Sequence, residues 1–381
     1  MTPITLLQPS RLVFGNGCAS QCAELLLARG LRRVLVVSST PVLPQIAPLL
    51  DSLRKAGCDV LSAPPIDQEP NRAMFANVLQ SARDQNAEAV LGIGGGSALD
   101  VAKLAAALAR SPQKVEEVFG INLLASRGLF LVCMPTTAGT GSEVSPNAIL
   151  LDEADQLKKG VVSPHLVPDI AIVDPMLTVS VPAGVTAATG LDALTHCIEA
   201  YANKFAHPLV DLYALEGIRL ISAHLLAAVR DGSNLAARAK LALGSLYGGI
   251  CLGPVNTGAV HALAYPLGGR FHIAHGVSNA VLLPHVLRFN LSAAPERYAE
   301  VAVALGIQRN GSPYSAAEHG LEKLTRLSSD CGIPSGLKAL GVPASAIPEM
   351  AQAAMKVTRL LKNNLRPLTA EDAEQIYQAS L

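Results

Sequence analysis

Short β-branched runs alternate with amphipathic stretches along the first 180 residues. RRVLVVSS (32–39) has the continuous apolar character of a buried strand, and IAPLLDSLRKAG (46–57) repeats its apolar positions at helical spacing until a glycine stops it. The alternation continues through strand-like CDVLSA (58–63), helical RAMFANVLQSARDQN (72–86), the strand AEAVLGIGGG and the helix SALDVAKLAAALAR (97–110). LFLVCMPT and IAIVD add two more strands. Strands separated by helices pair in parallel, with helices covering both faces of the sheet.

Beyond residue 185 the strand signal ends. ATGLDALTHCIEAYAN, LVDLYALEGIRLISAHLLAAVR and NLAARAKLALGSLYGGICLG carry helical periodicity, as do SAAEHGLEKLTRLSSDCG and TAEDAEQIYQASL. The pattern predicts an α/β domain with a parallel, Rossmann-like sheet over residues 1–180 and an all-α domain over residues 181–381. They join around LTVSVPAGV (177–185). A chain of 381 residues suits two such domains and buries a large core.

Composition narrows the function. Thirty basic residues balance thirty acidic ones, which leaves no electrostatic footprint for nucleic acid or an anionic membrane. The opening MTPITLLQPSRLVFGNG has neither a basic n-region nor a long apolar run, so no signal peptide is expected. Apolar runs such as AVLGIGGG break well short of the ~18 residues a membrane span needs. Seven scattered cysteines, an odd number, argue against a disulfide framework, and Cys18 and Cys22 have no second pair to make a zinc site. These features predict a cytoplasmic protein with reduced cysteines that handles a small molecule.

LGIGGGSALDVAK sets three consecutive glycines after a strand and before a helix. Backbone N–H groups in such a turn can approach a phosphate, and the helix N-terminus adds partial positive charge. Ser97 is placed to cap that helix, with Asp100 at its third position. A tight βα turn reads the same way, and the register is not GxGxxG. PTTAGTGSEVSPN (135–147) follows another strand. Its hydroxyls and glycines suit a phosphate, ribose or carboxamide, and equally an ordinary solvated loop. Two polar loops at the carboxyl ends of parallel strands lie where α/β sheets bind ligands.

In TGLDALTHCIEAY, Asp192 and His196 are four apart and project from one helix face, while Leu191, Leu194 and Ile198 supply an apolar stripe. A surface i,i+4 ion pair would look the same. HALAYPLGGRFHIAHG (261–276) adds His261, His272 and His275. One carboxylate with up to three imidazoles is a donor set for Zn²⁺ or Fe²⁺, and such an ion polarises a substrate oxygen as a Lewis acid.

Together GGGSALDVAK, PTTAGTGSEV, GLDALTHCIEAY and HALAYPLGGRFHIAHG resemble the iron-containing (group III) alcohol dehydrogenase family. The resemblance runs from RLVFGNG near the start to LRPLTAEDAEQIYQAS near the end. It implies a dehydroquinate synthase-like architecture, with a nucleotide-binding domain, a helical metal domain and an active cleft between them. It implies Asp192, His196, His261 and His275 as ligands of Fe²⁺, a set that also suits Zn²⁺, and it leaves His272 out. His165, His207, His224, His285 and His319 match no ligand position, and structural roles are expected for them. Gly95, Gly96 and Ser97 fall at the pyrophosphate, with Asp100 supporting the turn. Asn71, Thr136, Thr137, Asn147 and Lys158 fall at nucleotide-contacting positions, although Lys158 beside Lys159 also reads as a solvated charge. The implied activity is that of an NAD(P)-dependent alcohol dehydrogenase or aldehyde reductase. Hydride passes between nicotinamide C4 and a small alcohol or aldehyde, in a homodimer or larger homo-oligomer.

Two positions depart from the family pattern. Ser39 stands where many relatives carry an aspartate toward the adenosine ribose, and serine does not repel a 2′-phosphate, so NADP(H) is expected to be tolerated alongside NAD(H). Tyr265 stands where relatives often have a second histidine. It either relays a proton, as a poorer base with an ordinary pKa of about 10, or only packs. Two rival readings share the architecture. A dehydroquinate-synthase-like cyclase needs a basic pocket, for which the metal motifs offer Arg270 and little else. A non-catalytic metal- and nucleotide-binding relative has no need of four intact ligands.

Overall fold

The strands of the first half are Arg11–Phe14 (β1), Arg33–Val37 (β2), Asp59–Ser62 (β3), Ala89–Gly94 (β4), Gly120–Ile121 (β5), Phe130–Pro135 (β6), Asn147–Asp152 (β7), Leu157–Val162 (β8) and Ile170–Val173 (β9) in the computed structural model, which describes residues 2–153 and 157–381. Six of them form one sheet in the order β1-β9-β6-β4-β2-β3, every pair parallel. The two-residue period of a strand divides its side chains between the faces. Val34 and Val36 of β2 pack with Cys22–Leu27 (α1) and Leu43–Lys55 (α2). Leu35 and Val37 pack with Arg72–Asp84 (α3) and Gly96–Leu108 (α4). The expected sheet covered on both faces is therefore what forms. After β2 the chain moves outward to β3, then crosses back to place β4 on the other side of β2. That reversal between β2 and β4 is a topological switch point, where open α/β sheets leave a ligand-sized crevice beyond the strand ends.

A second sheet, β5-β8-β7, was not expected. β7 and β8 are antiparallel, from Asn147 opposite Val162 to Asp152 opposite Leu157. The segment hides its strands because Asp152 takes an inward position and Lys158 and Lys159 interrupt the apolar run of β8. A one-turn helix, Val115–Val118 (α5), precedes β5.

From Ala183 onward the elements are helices: Ala183–Tyr201 (α6), Pro208–Arg230 (α7), Leu235–Leu252 (α8), Ala259–Phe271 (α9), His275–Asn290 (α10), Pro295–Ala304 (α11), Pro313–Asp330 (α12), Ile347–Met355 (α13), Thr358–Leu361 (α14) and Ala370–Ala379 (α15). Residues 182–381, with residues 2–6 and 138–140, form one compact unit, and the remaining described residues form the other. α6 is buried on all sides between α7, α8 and α10, as expected of a helix apolar around its circumference. Polar groups on α6 are therefore enclosed with it. α7 is long and apolar enough to cross a membrane by length and composition. Its Val210, Ile218 and Leu225 are buried in the helical core, while Leu212 on its other side is exposed.

One close approach brings α10 to α6. A Cβ added at Gly276 would lie 2.2 Å from the Ala188 carbonyl oxygen, where backbone must move to make room. Gly276→Ala is therefore expected to destabilise the protein by about 1–3 kcal/mol, as overpacking does. Urea unfolding measures the loss, and an unchanged midpoint would show that α10 is free to shift.

Candidate functional site

Asp192 and His196 lie one turn apart on α6, His261 sits in the first turn of α9, and His275 opens α10. Asp192, His196 and His261 are buried and His275 is partly so. The Nε2 atoms of His261, His275 and His196 stand 3.5, 3.7 and 3.8 Å from the same carboxylate oxygen, Asp192 Oδ1. Ligands each about 2.1 Å from one ion at a tetrahedral angle are about 3.4 Å apart, so these spacings fit the edges of a coordination shell. Asp192, His261 and His275 form the tightest group, with ligand atoms within 4.8 Å of one another, and the His196 ring stacks on His261 at 4.7 Å.

The amide of Asn279, one turn into α10, donates to Asp192 Oδ1 at 2.7 Å and lies 3.2 Å from Nε2 of both His261 and His275. Asn279 Oδ1 is buried with no hydrogen-bond partner among the described residues. A carboxylate and three imidazoles brought to one point are a donor set that fits a divalent ion such as Fe²⁺ or Zn²⁺.

Electrostatics agree. Burial alone would raise the Asp192 carboxyl, but His196, His275 and His261 overcome it and hold the group well below the usual carboxylate range. Burial lowers His196. It would lower His261 as well, yet the Glu199 and Asp192 carboxylates push that imidazole up to about 9. Glu199 was missed in the sequence. Its Oε2 lies 2.5 Å from His261 Nδ1, and its Oε1 accepts the Val260 N–H at 2.7 Å. A carboxylate at Nδ1 keeps a proton there and fixes the ring with its Nε2 facing Asp192. The signal was readable, since Asp192, His196 and Glu199 follow i, i+4, i+7 spacing and share one helix face.

Tyr265, one turn after His261, has its ring 6.2 Å from that of His275 and its hydroxyl 3.5 Å from Arg359 Nη2. His272 is exposed and caps α9 in the left-handed conformation (φ 54°), away from any ligand role. His207 caps α7 through its Nδ1.

In the α/β unit, Gly94, Gly95 and Gly96 carry the chain from β4 into α4 at the switch point. A Cβ at Gly94 would meet Ala98 Cβ at 2.8 Å, so the glycine permits the tight turn. The helix cap is Gly95, not Ser97 as expected, and no side chain caps it. Ser97 lies in the first turn, and with Gly95 and Gly96 it remains partly exposed, leaving uncapped N–H groups of the kind that bind phosphate. Thr136 is buried and donates its N–H to Gly94 O, while Thr137 lies beside Gly95.

Asp100 does not support the glycine turn. It accepts from Ser142 Oγ at 2.5 Å and from the Ile149 N–H at 2.9 Å, and so holds the second polar loop. Lys103, fully buried, does the same by donating to the Ser142 and Asn147 carbonyls at 2.6 Å. A lone cation in the apolar run SALDVAKLAAALA was the sequence signal for this role. Asn147 Oδ1 is buried without a partner among the described residues. Asn71 caps α3 and donates to Glu153. The Lys158 side chain is not a solvated charge: it is only 6% exposed and pairs with Glu69 at 3.0 Å. Ser39 is partly buried just past the end of β2.

A doubly wound sheet with a glycine turn, and a helical unit with a buried carboxylate–imidazole cluster, are the features that a dinucleotide- and metal-dependent enzyme requires. Family profiles agree: "Iron-containing alcohol dehydrogenase" matches residues 9–175, and "Fe-containing alcohol dehydrogenase family, C-terminal" matches residues 186–381. The chain is 40% identical to long-chain-alcohol dehydrogenase 1 of Geobacillus thermodenitrificans, with 97% of this chain and 96% of the relative aligned. The crystal structure of a 1,3-propanediol oxidoreductase superposes with a TM-score of 0.95 at 36% identity, both chains covered fully. Sulfoacetaldehyde reductase from Bifidobacterium kashiwanohense, solved with NAD⁺, gives a TM-score of 0.89 at 27% identity over 100% of this chain and 99% of that one. The chain belongs to the iron-containing alcohol dehydrogenase family.

Two predictions concern the buried charges. Glu199→Gln is expected to weaken metal binding by about 10–100-fold, as loss of a partner behind a ligating histidine does, measured by competition with a chromogenic chelator. An unchanged affinity would leave Glu199 a purely structural residue. Glu143, buried in the second loop, is pushed up by that burial to about 7 against an ordinary 4.5. The folded state therefore holds a proton that the unfolded state has already released. This contribution to stability is complete below about pH 4.5 and is lost as pH rises through about 7. Glu143→Gln is expected to flatten the fall in unfolding free energy between those pH values.

Proposed function

We propose that Asp192, His196, His261 and His275 hold the divalent ion of this alcohol dehydrogenase, and that Gly95, Gly96 and Ser97 hold the pyrophosphate of its dinucleotide. The observation that carries the reading is the convergence of three imidazole nitrogens on one oxygen of a buried aspartate. Fe²⁺ is the ion that family membership favours, and the donor set also accepts Zn²⁺. When bound, the ion supplies Lewis acidity toward an alcohol or carbonyl oxygen, and the dinucleotide supplies the hydride carrier.

The chain's own part is orientation and electrostatics. Glu199 holds His261 with Nε2 toward the site, and Asn279 steadies the Asp192 carboxylate. Uncapped N–H groups of α4 receive the pyrophosphate, Lys103 and Asp100 shape the loop that carries Thr136, Thr137 and Asn147, and the Asn147 Oδ1 awaits a donor. Asn71 and Lys158 contribute through the structure they brace rather than as free polar groups. Tyr265 relays a proton, with Arg359 as the polar neighbour that supports the role. The dinucleotide is NAD(H) or NADP(H), since Ser39 itself sets no charge against a 2′-phosphate.

Relatives named for long-chain alcohols and for 1,3-propanediol support a small alcohol or aldehyde as substrate. Seven buried, unpaired cysteines suit the reducing cytoplasm. Exposed Leu12 and Phe14 on the edge strand β1 suit a homo-oligomer. A cyclase acting on an anionic substrate is disfavoured because Arg270 is exposed and paired with Glu349.

The test is an anaerobic screen of alcohols and aldehydes with both cofactors, after loading with Fe²⁺ or Zn²⁺. His261→Ala is expected to lower kcat/KM by about a thousandfold or more, since several kcal/mol of charge stabilisation go with the ion. Full activity in that variant would remove His261 from the ligand set. Tyr265→Phe is expected to lower kcat about tenfold or more and to alter its pH profile. An unchanged rate and profile would reduce Tyr265 to packing.

A further inference from the structure

We propose that Asp67 selects the dinucleotide: its carboxylate, held against Thr40 beyond the end of β2, accepts the adenosine ribose 2′-hydroxyl and repels a 2′-phosphate. The enzyme then prefers NAD(H) over NADP(H). The inference rests on the glycine turn being the dinucleotide site.

Three observations place Asp67 there. β2 neighbours β4, the strand that leads into the glycine turn, and Ser38 Oγ donates to Ile93 O at 2.6 Å across the pair. In doubly wound sheets the ribose hydroxyls lie at the carboxyl end of the strand beside the glycine-turn strand, where an acidic side chain usually receives them. In this chain that strand runs on into Ser38, Ser39 and Thr40, with no acid of its own. The loop after β3 folds back over this end, with the Ile66 N–H donating to Ser38 O at 2.9 Å. The next residue, Asp67, receives the Thr40 N–H on Oδ1 at 2.6 Å and the Thr40 hydroxyl on Oδ2 at 2.7 Å. The acid that Ser39 lacks is thus supplied from the adjacent strand. Each Asp67 oxygen keeps a free lone pair, and the side chain is exposed, so a ribose hydroxyl can reach it.

The nearby cations do not offset this charge. Lys158 is tied to Glu69, and Arg72 is shared between Glu116 and Asp152. A phosphate brought beside Asp67 would meet a like charge and no free guanidinium or ammonium from either residue. At an exposed site, like charges a few ångströms apart weaken binding on the order of ten- to a hundredfold.

Binding, rather than turnover, separates this inference from the reading beneath it. NADH and NADPH are titrated by nicotinamide fluorescence into the wild type, Asp67→Asn and Asp67→Glu. The wild type is expected to bind NADH at least tenfold more tightly than NADPH. Asp67→Asn should narrow that ratio at least fivefold through tighter NADPH, and Asp67→Glu, which keeps the charge, should preserve it. Equal wild-type affinities, or a ratio that Asp67→Asn leaves unchanged, would overturn the proposal while both cofactors still bind. Failure of the wild type to bind either cofactor would overturn the dinucleotide site and this proposal with it.

Discussion

A carboxylate sealed inside a helical core is costly unless its surroundings answer its charge. Asp192 is 3% exposed and meets three imidazoles and an amide from three different helices. Those partners set what the helices must do. α6 is apolar elsewhere around its circumference, so it is surrounded, and its polar residues are enclosed along with it. α9 must bring His261 in on its first turn, and α10 must begin at His275, which requires a glycine where it meets the Ala188 carbonyl. Glu199 then holds the far side of the His261 ring. Three imidazole nitrogens and an amide thus converge on one carboxylate oxygen.

The α/β unit uses the same device with the sign reversed. Lys103 is wholly enclosed, and carbonyls and hydroxyls of the 142–147 loop answer its charge. Asp100, one turn before it, takes hydrogen bonds from the same region. A loop that reads as solvated is in fact braced from beneath by two charges on α4, the buried Lys103 and the partly buried Asp100. That bracing holds Ser142, Ser145 and Asn147, while Thr136 and Thr137 of the same loop lie against the glycine turn.

Much of this was legible in the sequence. Period-two and continuous apolar runs marked β2, β3, β4, β6 and β9, and helical spacing marked α6, α7, α8, α12 and α15, because burial of one face imposes those periods. β7 and β8 escaped because Asp152, Lys158 and Lys159 break the apolar pattern, while Arg72, Glu69 and the Asp152–Lys159 pair across the hairpin, which no local pattern shows, answer their charges. Ser97 looked like a cap, but helix α4 begins two residues earlier than a Ser97 cap requires. Glu199 and Asn279 lay at i+3 from His196 and i+4 from His275, spacings that place them on the same helix faces as those histidines.

What the sequence determined by itself was the order and type of the main elements, the glycine turn, and the candidate donors on α6, α9 and α10. These follow from local periodicity and residue chemistry, which act over a few turns of chain. The tertiary structure alone decided which donors converge and which histidine stays outside. It also decided which lysines are neutralised, and which acid stands at the end of β2. Those outcomes depend on distances between residues that are far apart in the chain, such as Thr40 and Asp67 or Asp192 and His261, and only packing sets them.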